Sequence, residues 1–575
     1  MTTIILNKLS GEDKKARVGK ILVQEGDCIK AGEGLFHTES SKGNFLVKSE
    51  YGGIIKKLCV QEGETVAIGQ EIGEIEVEKS SAPSNSPQNS TQENKKTFQY
   101  TFGLAQPKKE EISCDIAILG GGPGGYVAAI RAAQLGATVV LIEKEKIGGT
   151  CLNVGCIPTK TYVKSAHLMD EICRSKEFGI LTTHPALDLS LVRKRKNEVV
   201  DRLVGGIRYL LDKANVRVIQ GEGKVAEDGS IIVKNAKTDA VIHPAKIILA
   251  TGSAPARLPI PGAELPGVLT NQEVLELTEI PKSMVIIGGG VIGMEFAMIF
   301  QSFGCKVTVV EFMDRILFNF DEDLVAVIEE ACRERGIELI PAAKVVEIAE
   351  ADDGTNIVTY TKGEQRKYLI GEKVLMAVGR KALIPEDAVA AFDLELNERQ
   401  NGIKVDNHMR TSNEKVFAIG DVTNIIQLAH IASHQGVIAA ENIMGLDTTM
   451  EYNAVPSAVF LSPEIGIVGL CEKEAAEQQI PHQVTVFPFA ANGKALSQGE
   501  TKGFVKILSD PEQKIILGAA VIGPGATDLI AHFSPLIKER MDYTKLKHMI
   551  LAHPTTAESI HEAILGIEGG AIHFA

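Results

Sequence analysis

The chain has 575 residues, 44% of them hydrophobic and 23% charged, with a formal net charge of −14 from 60 basic and 74 acidic side chains. That length suits three to five domains, the composition is that of a soluble globular protein, and the acidic balance argues against nucleic acid or an anionic membrane as the main partner. Nine cysteines, an odd number without even spacing, do not describe a secreted disulfide scaffold. The opening Met1-Thr2-Thr3-Ile4-Ile5 has neither the basic start nor the cleavage pattern of a signal peptide. The most apolar stretch, residues 284–300, is Gly-rich and carries Glu295, so it does not read as a membrane span. A reducing, cytoplasmic compartment is the expectation, and there a close cysteine pair reads as catalytic.

Residues 1–78 contain an internal repeat. Val23-Gln24-Glu25-Gly26 recurs as Val60-Gln61-Glu62-Gly63, and Gly32 with Gly69 and Leu35 with Ile72 keep the same offset of 37. Each half alternates apolar and polar residues between glycine turns, which predicts short strands and, for two such halves, a small all-β sandwich. Residues 38–45 read as the hairpin joining the halves. Over residues 10–78 the chain resembles the lipoyl (or biotinyl) carrier domains, and the resemblance makes Lys42, at the hairpin tip, the residue that carries the acyl group. The flanks depart from the family pattern: Ser41 and Gly43 stand where lipoyl domains have Asp and Ala. Read from the residues alone, Lys42 is also compatible with an ordinary exposed turn lysine. Residues 79–112 follow as a polar, Pro-containing linker unable to form a core. As a flexible coil it spans roughly 30–35 Å on average.

Two dinucleotide fingerprints come next. A buried-strand pattern at 115–119 runs into Gly120-x-Gly122-x-x-Gly125, a helical stretch at 126–135, and a second strand at 138–142 ending at Glu143. The first glycine makes the turn, the second lets backbone approach a pyrophosphate at the helix N-terminus, and the third packs helix against strand. The pattern repeats at 284–287, Gly288-x-Gly290-x-x-Gly293, and 306–310 ending at Glu311. In both copies the acid stands 21 positions after the middle glycine, where it would bond a ribose hydroxyl. Glu311 repels a 2′-phosphate and so favours NAD over NADP in the second site. Arg315 is the nearby cation that would soften this.

Cys151 and Cys156 follow the first unit, inside Gly148-Gly149-Thr150-Cys151-Leu152-Asn153-Val154-Gly155-Cys156-Ile157-Pro158-Thr159-Lys160. Two cysteines at this spacing beside a dinucleotide site read as a redox-active disulfide, with a helix start lowering a thiol pKa. No further Cys or His follows at zinc-ligand spacing, so a metal is not expected.

This segment closely resembles the class I pyridine nucleotide–disulfide oxidoreductases, and the resemblance runs from residue 113 through the rest of the chain. Ala250-Thr251-Gly252-Ser253, Val378-Gly379-Arg380, Ala418-Ile419-Gly420-Asp421, Leu428-Ala429-His430 and His553-Pro554-Thr555-Thr556-Ala557-Glu558 all fall in register. Two residue pairs depart: His434-Gln435 replaces an acidic pair, and Thr556-Ala557 the usual Leu-Ser. The resemblance implies two Rossmann-like α/β domains and an α+β dimerisation domain. It would place FAD binding in 113–257 and 382–450, NAD binding in 258–381 and dimerisation in 451–575. It implies FAD on Gly120, Gly122, Gly125, Glu143, Gly149, Thr150, Lys160, Thr251, Gly252, Ser253, Gly420 and Asp421, the last on the ribityl chain. It implies NAD on Gly288, Gly290, Gly293, Glu295, Glu311 and Gly379, with Lys160 and Glu295 as an ion pair near the flavin. Cys151 would be the thiol that meets substrate and Cys156 the one that faces the flavin. His553 would be the general base, oriented by Glu558 and contributed by the partner subunit of a homodimer.

The implied reaction is oxidation of dihydrolipoamide with NAD⁺. Its partner would be a lipoylated E2 or H-protein-type carrier, the chain's own front domain included. Glutathione reductases use NADPH, which Glu311 opposes. Mercuric and large thioredoxin reductases add a C-terminal cysteine pair, and here no cysteine follows Cys471. A carrier protein with an inert flavoprotein scaffold is the alternative from another class, and it is opposed by the intact Cys151, Cys156 and His553.

Overall fold

The computed structural model describes residues 2–6, 15–29, 32–40, 43–49, 51–77, 109–183, 185–235 and 238–574. The chain divides into two compact units, Met1–Phe102 and Gly103–Ala575.

The first unit holds two four-stranded antiparallel sheets. One runs in the order Thr2–Ile5, Glu71–Val77, Gly53–Leu58, Cys28–Ile29. The other runs Gly43–Lys48, Gly34–Ser40, Lys15–Ile21, Thr65–Ala67. Ile4, Val18, Leu35, Phe36, Ile55, Val66, Ile72 and Ile75 share one core, and a register shift between Gly34 and Phe36 lets neighbouring Leu35 and Phe36 both enter it. The repeat read from the sequence is a structural one. Gly26 N–H donates to Ile55 O, and its counterpart Gly63 N–H donates to Val18 O, both at 2.7 Å. Each turn is therefore closed by the other half of the module. Ser40 pairs with Gly43 across the hairpin; Lys42, expected to carry the acyl group, lies outside the described residues, as does the linker over 79–108.

The second unit opens earlier than expected. The linker was read as extending to 112, but the strand Lys109–Leu119 begins inside it. Lys109 to Ile112 pair in register with Asp239 to Ile242. Glu110 meets Arg217 in an ion pair, and Ile112 is buried. The charged run 109–111 looks like linker locally; only its pairing with a distant strand shows it to be sheet.

That strand sits in a sheet ordered Arg217–Gln220, Val139–Glu143, Lys109–Leu119, Asp239–Leu249, Ile231–Lys234, Gly223–Val225, with Val416–Ala418 also pairing to Asp239–Leu249. A second, all-parallel sheet runs Val268–Leu269, Lys373–Met376, Ser283–Ile287, Lys306–Val310, Glu338–Ile340. An antiparallel meander, Lys344–Glu350, Asn356–Lys362 and Gln365–Gly371, accompanies it. A third sheet, antiparallel throughout, runs Ser457–Val459, Glu464–Gly469, Ile515–Gly523, Phe504–Asp510, Gln483–Pro488 and carries the last helices. Two α/β layers followed by an α+β layer is the predicted fold class. The apolar stretch at 284–300 becomes a buried strand and the helix Val291–Ser302, whose Met294, Phe296 and Phe300 share a core with Tyr162, Leu461 and Ile522. Among the described residues no helix is long and apolar enough to cross a membrane.

Candidate active site

Both fingerprints fold as strand, turn and helix. Gly122 caps the helix Pro123–Gln134, and Gly290 caps Val291–Ser302. The third glycine of each copy is required by close packing. A Cβ on Gly125 would lie 1.8 Å from Gly120 O, and one on Gly293 would lie 2.0 Å from Gly288 O. Both helix N-termini open into one cleft of about 3030 Å³, which Cys151 and Cys156 also line. All the residues expected around the two nucleotides line it except Gly125 and Gly293, which face their own strands instead.

The two distal acids do something the sequence does not announce. Glu143 is buried, and its Oε2 accepts from Gly121 N at 2.7 Å while Oε1 accepts from Glu145 N at 2.6 Å. Glu311 repeats this with Gly289 N and Met313 N. Each carboxylate fastens its own glycine turn. A carboxylate has about four lone-pair positions, so two remain for ribose hydroxyls. Arg315 is turned to Glu322 and to the carbonyls of Phe318 and Phe320.

Cys151 lies in the short helix Gly149–Val154, and Cys156 is the first residue of Cys156–Arg174; Gly155 alone separates the two helices. The cysteines stand as thiols hydrogen-bonded to each other. That bond holds the Cys156 pKa below the ordinary thiol value, against burial, with help from the Lys160 charge one turn on. The same bond, with burial, drives Cys151 far upward. Of the pair, Cys156 is the thiol that loses its proton more easily. Lys160 Nζ donates to both oxygens of buried Glu295, at 2.9 and 2.8 Å, and lies 4.5 Å over the Phe460 ring. Phe460 N–H completes Glu295 at 3.0 Å.

The turn Gly420–Thr423, which carries Asp421, is braced in part by residues outside the expected site. Ser253 Oγ donates to Asp421 and accepts from Arg380 Nε at 2.8 Å. Arg380 and Gln435 are the additions. Gln435 Oε1 accepts from Gly420 N at 2.6 Å, and its Nε2 donates to Tyr452 Oη at 2.9 Å. Ser253 stands 127 residues from Arg380, so no local pattern marks that contact; Gln435 is 15 residues from Gly420, and their meeting depends on how the helix Ala429–Ile443 packs back on the turn. Elsewhere, Asp321, Asp323 and Glu472 converge on Lys506, whose ammonium fills the space between them.

His553 and Glu558 are brought together, with Nδ1 2.9 Å from Glu558 Oε1. Glu558 begins the helix Glu558–Gly566. Its pKa is lowered first by Thr555 N–H, at 2.8 Å, and then by His553. The pair does not line the cleft of its own chain, and the His553 side chain is 79% exposed.

Bare backbone faces the cleft where large flat ligands would need it. A Cβ added at Gly252, Gly290 or Gly379 meets nothing within 4 Å, and at Gly122 only Gly149 Cα at 3.9 Å. Two glycine turns under helix N-termini, with a thiol pair between them, define a flavin-type disulfide oxidoreductase. Residues 114–436 match the family described as pyridine nucleotide-disulphide oxidoreductase, and the chain belongs to it. Residues 455–564 match that family's dimerisation domain, and residues 7–75 match the biotin/lipoyl family described as biotin-requiring enzyme. A dihydrolipoyl dehydrogenase of Bacillus subtilis is 40% identical over 476 residues, covering 80% of this chain and 99% of that protein. One from Geobacillus stearothermophilus is 37% identical, covering 80% and 98%. Among solved structures, LpdA from Mycobacterium tuberculosis superimposes with a TM-score of 0.74 at 27% identity, over 79% of this chain and 99% of that one. The HOCl-induced flavoprotein disulfide reductase RclA from Escherichia coli gives 0.70 at 29%, over 79% and 100%.

Proposed function

We propose that this protein is a dihydrolipoyl dehydrogenase, oxidising dihydrolipoamide to lipoamide with NAD⁺ as the E3 component of a 2-oxoacid dehydrogenase or related lipoyl-dependent complex. The observation that carries the reading is the cysteine pair Cys151 and Cys156, set in the cleft shared by the two glycine turns with Lys160 one helical turn beyond Cys156. FAD belongs on the first turn with Asp421, and NAD on the second with Glu311. In residue terms, 113–257 and 382–450 form the flavin domain, 258–381 the NAD domain and 451–575 the dimerisation domain.

The exposed dyad belongs to the site of a partner subunit in a homodimer. With Nδ1 held by Glu558, His553 Nε2 is free to take a proton from one substrate thiol. The resulting thiolate attacks Cys151 of the oxidised pair, forming a mixed disulfide and releasing Cys156 as thiolate. The second substrate thiol displaces Cys151, so the substrate leaves as the cyclic disulfide and the pair is left reduced. Bound flavin supplies the two-electron relay from the reduced pair to NAD⁺. Lys160 steadies the Cys156 thiolate meanwhile. In the front unit, Lys42 carries a lipoyl group, and the protein works in the cytoplasm on lipoylated carriers.

Purified protein is expected to be yellow and to reduce NAD⁺ with dihydrolipoamide. Absence of turnover from FAD-loaded protein with both thiols intact would sink the assignment. The likeness to RclA favours one second reading, a sister reductase with another thiol substrate; turnover of glutathione disulfide with NADPH, and none of dihydrolipoamide, would select it. Intact-mass measurement of protein from lipoate-replete cells decides Lys42: no added lipoyl mass removes the carrier role.

A further inference from the structure

Asp421 is carried on a loop held from two directions. On one side stand Ser253 and Arg380. On the other, the helix Ala429–Ile443 sends Gln435 under the loop. Gln435 is 0% exposed. Its two amide ends have different tasks: only the oxygen can receive Gly420 N–H, which leaves the NH₂ group to donate to Tyr452 Oη. Thr423 Oγ1 donates to Gly420 O at 2.9 Å, so both backbone groups of Gly420 are fixed. Gly420 and Asp421 line the cleft, as does Ala432, one turn before Gln435 on the same helix.

A buried carboxylate would fit the same space and accept from both Gly420 N–H and Tyr452 O–H. Two such donors stabilise an anion. The chain instead places a neutral group there. Two-electron reduction adds negative charge to a flavin ring, and a fixed anion in a low-dielectric wall opposes that addition. We propose that Gln435 is a positioning residue for the Gly420–Asp421 loop, and that its neutrality holds the flavin at a higher midpoint potential than a carboxylate in its place would allow. This rests on reading the Gly120 turn and Asp421 as the flavin site.

The test compares wild-type holoenzyme with Gln435→Glu and Gln435→Leu. The anaerobic FAD midpoint potential is measured between pH 6 and 9, together with the FAD dissociation constant of the apo-proteins. Gln435→Glu keeps the acceptor for Gly420, so its FAD affinity stays within about threefold of wild type. Its potential moves negative at high pH, and the gap closes as pH falls and the new carboxyl protonates. Gln435→Leu removes the acceptor and weakens FAD binding at least tenfold, with no negative shift in potential. Equal potentials for wild type and Gln435→Glu across the whole range overturn the proposal, as does wild-type FAD affinity in Gln435→Leu. Failure of the wild-type protein itself to take up FAD would overturn the flavin reading, and this proposal with it.

Discussion

Lys160 stands one helical turn beyond Cys156 and divides its charge between that thiol and Glu295. Replacing it by Met removes the cation that lowers the thiol pKa and exposes Cys156 to the unpaired Glu295 charge, which raises it. In a reduced flavoenzyme of this type the long-wavelength charge-transfer absorbance reports the thiolate, and it fades as pH falls through the Cys156 pKa. In Lys160→Met it is expected to fade at a pH about 1–3 units higher than in wild type, the usual reach of one adjacent opposite charge. A spectrophotometric pH titration of both reduced proteins checks this, and coincident curves would count against the assignment of Cys156. His553 gives a second prediction at the same scale. His553→Gln should lower dihydrolipoamide turnover about 10²–10⁴-fold, the usual worth of a general base, while stopped-flow reduction of the flavin by NADH stays unchanged. Loss of both would mean that the imidazole supports the fold rather than the proton transfer.

At the scale of elements, the two fingerprints are copies with separable failures. Gly125→Ala forces the helix Pro123–Gln134 away from its strand, because the new methyl overlaps Gly120 O. Overpacking of this kind costs about 1–3 kcal/mol; the variant should lose bound FAD on gel filtration and melt earlier. Gly293→Ala makes the same clash in the second copy. It should raise KM for NAD⁺ several-fold while the flavin content holds, which steady-state kinetics and absorbance together measure. These elements were readable because their information is local: strand, turn, helix and acid lie within about thirty residues. Even so, the first helix starts three residues before the apolar run, at Pro123, since Gly122 caps it and proline suits the first helical position. The linker's end was misplaced for the opposite reason. Lys109 to Ile112 are sheet only because Asp239 to Ile242 lie beside them. Ser253 with Arg380 was unreadable on the same ground, whereas Gln435 with Gly420, 15 residues apart, depends on how the helix Ala429–Ile443 packs back on the turn.

For the whole molecule, the separation of His553 from its own cysteines makes a prediction about symmetry. If the dyad serves the partner's cleft, a dimer of Cys151→Ser with His553→Gln contains one site with both residues intact. Two inactive proteins, mixed by refolding together, should then recover about a quarter of wild-type turnover, since half the dimers are mixed and half their sites are whole. A dyad acting within its own chain recovers nothing, so the assay separates the two arrangements. What the sequence made plain at this scale was the inventory of chemical parts: two nucleotide turns, one redox pair, one histidine with its glutamate. Which parts meet inside one chain is a matter of packing: the folded chain joins Lys160 to Glu295, as the family resemblance implied, and keeps His553 out of the lining of its own cleft.

The repeat in the first unit has a further consequence. Gly26 closes on Ile55 and Gly63 on Val18, so each half supplies the clasp for the other. Neither half is then a folding unit. A peptide of residues 1–40, or of 41–78, lacks the acceptor its turn depends on and should remain unfolded by circular dichroism when made alone. In descent, such a module is indivisible: once its two halves came to depend on each other, recombination could move it between proteins only as a whole.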